Sequence, residues 1–150
     1  MSEYKLTKEI IDLSEATDWD LAKSEWRLVE VFEADEPEHC LCGHYPIRQV
    51  CSLSNLRNNN IAQVGNYCVK KFIGLPSDRI FQAVKRVRID DEKALNAEAI
   101  NHAQQKGWIN MWEFYFAMDT MRKRKLSDRE LATRKKINAK MLANMKRRQI

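Results

Sequence analysis

The chain has 150 residues, of which 44% are hydrophobic and 31% charged, enough apolar material for one compact domain with a real core and enough charge for a well-solvated surface. No apolar run approaches the ~20 residues that a membrane helix needs, and no basic-then-apolar export segment opens the chain, so a soluble, cytoplasmic protein is expected. The formal net charge of +5 is unevenly placed: residues 1–40 hold 4 Lys/Arg against 12 Asp/Glu, whereas residues 122–150 hold 12 basic and 2 acidic side chains.

That split points to an anionic partner for the C-terminal side, or else to an acidic head packed against a basic tail. Residues 1–38 form the acidic part. Thr7 is placed to cap a short helix through Leu13. Ala16–Glu25 reads as a second helix with Thr17 or Asp18 as N-cap and Trp19, Ala22 and Trp26 near one face. Arg27–Glu33 is rich in β-branched and aromatic residues and predicts a strand, which Asp35-Glu36-Pro37 should break.

Residues 39–74 carry the chemistry. All four cysteines (Cys40, Cys42, Cys51 and Cys68) fall in this stretch. A secreted disulfide scaffold would spread its bridges along the chain, and Cys40 and Cys42 are too close to pair without strain, so clustered thiols with nearby histidines indicate a metal. Gly43 lets the chain curl after Cys42 so that two thiolates can face one ion. Ile47–Leu53 and Ile61–Val64 predict a hairpin joined by Asn55–Asn60, whose asparagines tolerate left-handed turns. Gly65 should end the second strand and Asn66 should cap a helix from Tyr67. Cys68 then lies in its first turn, where a helix N-terminus favours the thiolate. Knuckle, hairpin and helical ligand are the parts of a treble-clef zinc finger, and zinc takes four tetrahedral N or S ligands. Cys40, Cys42 and Cys68 supply three. His44, Cys51 and His39 are candidates for the fourth, although Cys51 shares a strand face with Ile47 and Leu53 and reads as a core residue, and His39 reads as a surface one. An iron–sulfur cluster is the other metal option, disfavoured by the tight hairpin and the histidine.

Cys40-x-Cys42-Gly43-His44-x-x-Ile47, then Asn55, then Val64-Gly65-x-x-Cys68-Val69-x-x-Phe72 form a pattern, flanked by Glu25-Trp26 ahead and by Arg124-x-Leu126-Ser127 and Ile137-Asn138 behind. Between Trp19 and Leu142 it resembles small, mostly uncharacterised phage and bacterial proteins. The resemblance implies a zinc-finger fold and a mobile-element setting, with no established biochemical activity. A common treble clef places two ligands on its helix, whereas only Cys68 is available here. His44, inside the matched pattern, is therefore the expected fourth ligand.

Residues 75–150 predict a basic helical region. Leu75-Pro76-Ser77 leads into a helix over Asp78–Arg88 with Ile80, Phe81, Val84 and Val87 inward. Asp90–Gln105 should continue as helix and stop at Lys106-Gly107. Trp108–Met121, with Trp112, Phe114, Tyr115 and Phe116, reads as a core helix, the alternative being a stacking platform for bases. Ser127-Asp-Arg-Glu130 matches a capping box that starts a last helix at Asp128, with Leu131, Ile137, Met141, Leu142 and Met145 as a broken apolar face.

The fold expected is α+β: a treble-clef-like zinc finger (knuckle, β-hairpin, helix) embedded in a mostly helical single domain. Catalysis has no support, since the chain lacks a Gly-rich phosphate loop, a His-Glu metalloprotease pattern and a Ser/His/Asp grouping, and His102 stands alone in a helix. A zinc saturated by protein would leave no position for water. The function expected is non-catalytic binding of nucleic acid, DNA more than RNA. Lys70, Lys71, Lys85, Arg86, Arg88, Arg122, Lys123 and Arg124 would contact phosphates together with Arg134, Lys135, Lys136, Lys140, Lys146, Arg147 and Arg148 of the terminal helix and its exit. The alternative is an adaptor or inhibitor of a host replication, repair or defence complex, in which the acidic Glu33–Glu38 segment binds a basic surface or imitates nucleic acid. No membrane partner is expected.

Overall fold

In the computed structural model, which describes residues 3–147, the chain divides into two compact units. One holds the described residues up to Asp78 together with Lys146–Arg147, and the other is Arg79–Met145. The class is α+β, as the sequence predicts.

The first unit contains helices α1 (Glu3–Asp12) and α2 (Trp19–Ser24) and strands β1 (Trp26–Glu38), β2 (Ile47–Asn55) and β3 (Ile61–Gly65). A short helix α3 (Asn66–Cys68) passes directly into a π-helical turn, Val69–Ile73, and a two-residue strand β4 (Lys146–Arg147) completes the sheet. The strand order is β3-β2-β1-β4, antiparallel among β1, β2 and β3, with β4 parallel to β1. Period-two alternation gives both faces an apolar content. On one face Val31, Cys51 and Val64 lie in a cross-strand row, flanked by Leu53 and Ala62, all buried. On the other, Phe32, Ala34 and Val50 cluster with Ile47 packed against them.

Several boundaries differ from the sequence reading. Helix α1 begins at Glu3, so Thr7 lies inside it rather than capping it. Asp18 is the cap of α2, its carboxylate accepting the Leu21 N–H at 3.2 Å. Strand β1 does not stop at Asp35-Glu36-Pro37: it runs on to Glu38, with its register broken between Glu33 and Glu38. An irregular stretch tolerates a proline, which has no N–H to give the ladder.

A buried carboxylate ties the loops of this unit together. Glu25 accepts the backbone N–H groups of Glu15 at 2.9 Å and Ala16 at 2.8 Å, and the Asn55 side-chain amide at 3.0 Å. The Glu15 N–H, with these partners, holds the Glu25 carboxyl below the usual range in spite of its burial. Asn55 Oδ1 in turn accepts the N–H groups of Arg57 and Asn58 at 2.8 and 3.2 Å. Asn58 and Asn60 donate to the Leu13 carbonyl at 2.9 and 2.8 Å. Asn59 takes the left-handed conformation, φ 63°, that the asparagine run suggested.

The second unit is helical. Helix α4 (Ser77–Ile89) enters it from the first, and α5 (Ala97–Gln105), α6 (Met111–Thr120) and α7 (Asp128–Met145) follow. Ile80, Phe81, Val84 and Val87 are buried as their spacing requires. Residues 90–96 are not helical, contrary to expectation. Asp90 Oδ1 accepts the Glu92 N–H at 3.0 Å and Asn96 caps α5 through the Ala99 N–H at 2.9 Å, so short polar side chains out-compete helical continuation. Asn138, buried on α7, secures this turn by donating to the Asp91 and Lys93 carbonyls at 2.8 and 2.9 Å. Ser127 and Glu130 form the anticipated capping box of α7, whose buried positions include Ile137, Met141 and Met145. Among the described residues no helix is long and apolar enough to cross a membrane.

Helix α6 departs most from the sequence reading. Trp112 and Tyr115 are 64% and 58% exposed, and the buried positions are Glu113 and Thr120. A reciprocal cap fixes its orientation: Asn110 Oδ1 accepts the Glu113 N–H at 2.8 Å while Glu113 Oε1 accepts the Asn110 N–H at 3.0 Å. Lys140 of α7 reaches the same carboxylate at 2.7 Å. The expected aromatic core helix is thus turned outward by its inward carboxylate.

Burial raises the Glu113 carboxyl, but the Asn110 N–H and Lys140 outweigh it, and the net shift is downward. A lowered folded value means full stabilisation above the ordinary glutamate range, lost as pH falls through the folded value. Glu113→Gln should therefore cost about 1–2 kcal/mol near pH 7 and flatten the acid limb of stability measured by denaturant unfolding below the ordinary glutamate range. Equal acid limbs in both proteins would remove this role.

Candidate metal centre

The knuckle between β1 and β2 is closed by backbone bonds. Gly43 N–H donates to the Cys40 carbonyl at 2.8 Å and Cys40 N–H to the His44 carbonyl at 3.0 Å. Gly43 has φ 91°, which only glycine adopts without strain. Leu41 N–H reaches the Gln63 carbonyl of β3 at 3.1 Å, fastening the knuckle to the hairpin. The close approach extends to Gly65, where a side chain would meet Ile47 at 3.3 Å and Cys40 Cβ at 3.7 Å.

These constraints aim three sulfurs at one point. Cys40, Cys42 and Cys68 are buried, and their Sγ atoms all lie within 4.8 Å of one another. Tetrahedral thiolates at about 2.3 Å from an ion stand roughly 3.8 Å apart, so these three could hold a metal ion after small adjustments. The surrounding amides are arranged for anionic sulfur. Cys40 Sγ accepts the N–H groups of Gly65 at 3.2 Å and Cys42 at 3.5 Å, and Cys42 Sγ accepts that of His44 at 3.4 Å. Soft thiolate donors suit zinc, copper(I) or iron–sulfur chemistry rather than magnesium or calcium.

The sequence reading expected Cys68 to ionise readily on its helix N-terminus. The order is reversed: the hydrogen bond from Cys68, helped by the backbone amides, lowers the Cys40 thiol, while facing Cys40 raises Cys68. Two thiolates this close cannot both ionise without a cation, and Cys40 holds the amide donors. A metal ion would displace the remaining protons. Asn66 is not the cap of α3. Gly65 occupies that position, and the buried Asn66 amide donates to Gln49 Oε1 and Asp78 Oδ1 at 3.1 Å each while its oxygen accepts from Ser77 Oγ at 2.7 Å.

The other ligand candidates have separate surroundings. Cys51 sits in the apolar row of the sheet, fully buried and outside the sulfur cluster, and burial pushes its thiol up to about 12. His39 is exposed, as the sequence reading has it, and stacks on Tyr45 with ring centroids 4.4 Å apart. His44 is exposed and, like Cys51, falls outside the group of ligand atoms within 4.8 Å of one another; it lines a cleft of about 260 Å3 together with Cys40, Cys68, Arg48 and Tyr67.

The cations proposed for phosphate contact are scattered over both units, and many are engaged internally. In the first unit Lys70 Nζ lies 3.3 Å from Asp78, and Lys71 donates to the Tyr67 hydroxyl at 3.0 Å. In the second, Lys123 pairs with Glu130 at 3.0 Å, Lys135 with Glu92 at 3.6 Å and Lys140 with Glu113 at 2.7 Å. Arg134 is half-buried and donates to the Glu92 and Thr120 carbonyls at 3.1 and 2.7 Å. Lys85, Arg86, Arg88, Arg122, Arg124, Lys136 and Lys146 are exposed. Arg147 contributes its backbone to β4, and Arg148 lies outside the described residues. Sequence reasoning passed over Arg48 and Tyr67, which reach the cleft beside the sulfurs. Alternation along β2 puts Arg48 and Val50 on one face, two residues apart, and that signal was readable.

Comparison with known proteins finds no matching family model, no matching curated protein and no matching solved structure.

Cys40→Ser, Cys42→Ser and Cys68→Ser should each abolish tight metal retention, read as the metal-to-protein ratio after dialysis against a weak chelator. Cys51→Ala should keep the metal and lose about 1–3 kcal/mol of stability as a core truncation. Metal loss on Cys51→Ala would place that thiol in the site.

Proposed function

We propose that the three-cysteine cluster holds one structural zinc ion with His44 as the fourth ligand, forming a treble-clef-like finger. The finger is the scaffold of a non-catalytic nucleic-acid-binding protein of phage or mobile-element origin. Zinc would supply folding energy of the order of 10–16 kcal/mol in apparent binding. Four protein ligands leave it no place for substrate. His44 completes the donor set from the exposed side, where its position in the cleft beside Cys40 and Cys68 supports the assignment. Substitution with cobalt(II) tests it: His44→Ala should lower affinity and alter the visible spectrum of the bound ion, and an unchanged spectrum would exclude His44.

The observation that carries the nucleic-acid reading is the surface beside the sulfurs. Tyr67 is 48% exposed on the cleft that Arg48 also lines, and Lys71 Nζ lies 5.4 Å from the Tyr67 ring centroid. An exposed aromatic flanked by cations is the combination that stacks a base while neutralising its phosphates. The second unit has exposed cations of its own on α4 and α7. DNA is favoured over RNA as the nucleic acid.

A protein-binding reading, as adaptor or inhibitor of a host complex, draws on a different observation. The internal pairs of Lys123, Lys135 and Lys140 reduce the free charge of the basic region, while Asp35 and Glu36 stay exposed. The two readings part on salt. Binding to single- and double-stranded DNA and RNA should weaken linearly in log affinity against log salt. Arg48→Gln with Lys71→Gln should lower affinity for all sequences and reduce the slope by about 1 for each phosphate no longer neutralised. Absence of binding at ~50 mM salt, where screening is weak, would overturn the nucleic-acid reading in favour of a protein partner.

A further inference from the structure

The second unit carries a groove beside α4 and the turn that leads into α5. It encloses about 570 Å3, within the ~300–1,000 Å3 of small-ligand sites. Among the described residues, four cationic side chains line it, Arg79, Arg86, Lys93 and Arg122, against a single carboxylate, Glu98. That carboxylate is already matched, since Glu98 Oε1 lies 3.2 Å from Arg79 Nε. Arg86 is steadied by a neutral partner: its Nη2 donates to the Ala94 carbonyl at 2.6 Å, which orients the guanidinium without cancelling its charge.

Asp90, Asp91 and Glu92 of the adjoining turn are not among the residues that line the groove, and the Glu92 carboxylate lies 3.6 Å from Lys135. Arg86, Lys93 and Arg122 therefore bring like charges to one concavity. Such an arrangement costs repulsion unless an anion sits among them. Met121 adds an apolar wall.

We infer that this groove binds a phosphate group, carried either by a free nucleotide or by the end of a nucleic-acid strand. Guanidinium forks match pairs of phosphate oxygens, and Lys93 adds a mobile point charge. A pyrophosphate or terminal phosphate has the charge density to bridge Arg86, Lys93 and Arg122, and Met121 can pack against an attached nucleoside. The site uses no residue of the sulfur cluster, so it stands whether or not the finger engages nucleic acid.

Calorimetric titration of the full zinc-loaded chain with inorganic pyrophosphate, with ADP and with a short single strand bearing a 5′-phosphate or a 5′-hydroxyl tests this. Saturable binding of at least one phosphate probe is expected, weakened tenfold or more in Lys93→Gln with Arg122→Gln. A charge-matched control, Lys125→Gln with Arg129→Gln, should retain it. ADP binding with no preference between the two strand ends identifies a free nucleotide, and preference for the 5′-phosphate strand over its hydroxyl twin identifies a strand end. Absence of saturable binding by every phosphate probe overturns the proposal. So does an equal loss in the control, which would mean diffuse attraction. Far-UV dichroism and Tm matched among the three proteins separate lost binding from lost folding.

Discussion

Everything in the first unit is arranged around a problem of charge: three buried sulfurs face one another with no room for three negative charges. The backbone answers part of it. Amides of Cys42, His44 and Gly65 donate to the sulfurs, and those amides are available because Gly43 reverses the chain and Gly65 ends β3 against Cys40. The hairpin between them is the spacer that brings Cys68 to Cys40. A change in strand length or register would move Gly65, and with it both a donor and a ligand. Sheet geometry and sulfur chemistry are in this sense one constraint.

The rest of the unit clamps that spacer. Glu25 joins the loop after α1 to the hairpin turn through Asn55, and Asn66 joins β2, α3 and the start of α4. Both are polar groups buried with their partners supplied, the condition under which burial fixes one arrangement rather than costing stability. Glu113 does the same for α6 and α7 in the second unit.

Local chemistry was readable in the sequence where a residue acts on its neighbours. The glycine of the knuckle, the Ser127–Glu130 box and the inward row of α4 each depend on contacts within a few residues and each was found, while the cap of α2 was narrowed to Thr17 or Asp18. The cysteine cluster was found because its spacing is itself local to one hairpin. Part of what was missed is also local, as in the Asn96 cap and the Asn110–Glu113 box, but much of it depends on distant partners. Nothing near Trp112 reveals that Lys140 draws Glu113 inward and turns the aromatics out. Nothing near Asp90 reveals that Asn138 supports a turn there. Asn66 looked like a cap by position, and only its contacts with Gln49, Ser77 and Asp78 show that it is a tie. The same blindness applied to the basic residues: counting charges along α7 could not show that Glu92 and Glu113 lie within reach of Lys135 and Lys140.

The sheet also gives the acidic head a purpose apart from any partner. Strand β4 pairs with β1 only at Glu33 and Ala34, and among the described residues no other strand pairs with that side of the thirteen-residue β1. Unprotected flanks recruit strands from other molecules and seed aggregates. Along β1, Pro37 and the acids Glu30, Asp35 and Glu36 lie at positions that an added strand would have to pass. Negative charge that reads in the sequence as a partner signal is also what disfavours strand addition at a sheet edge.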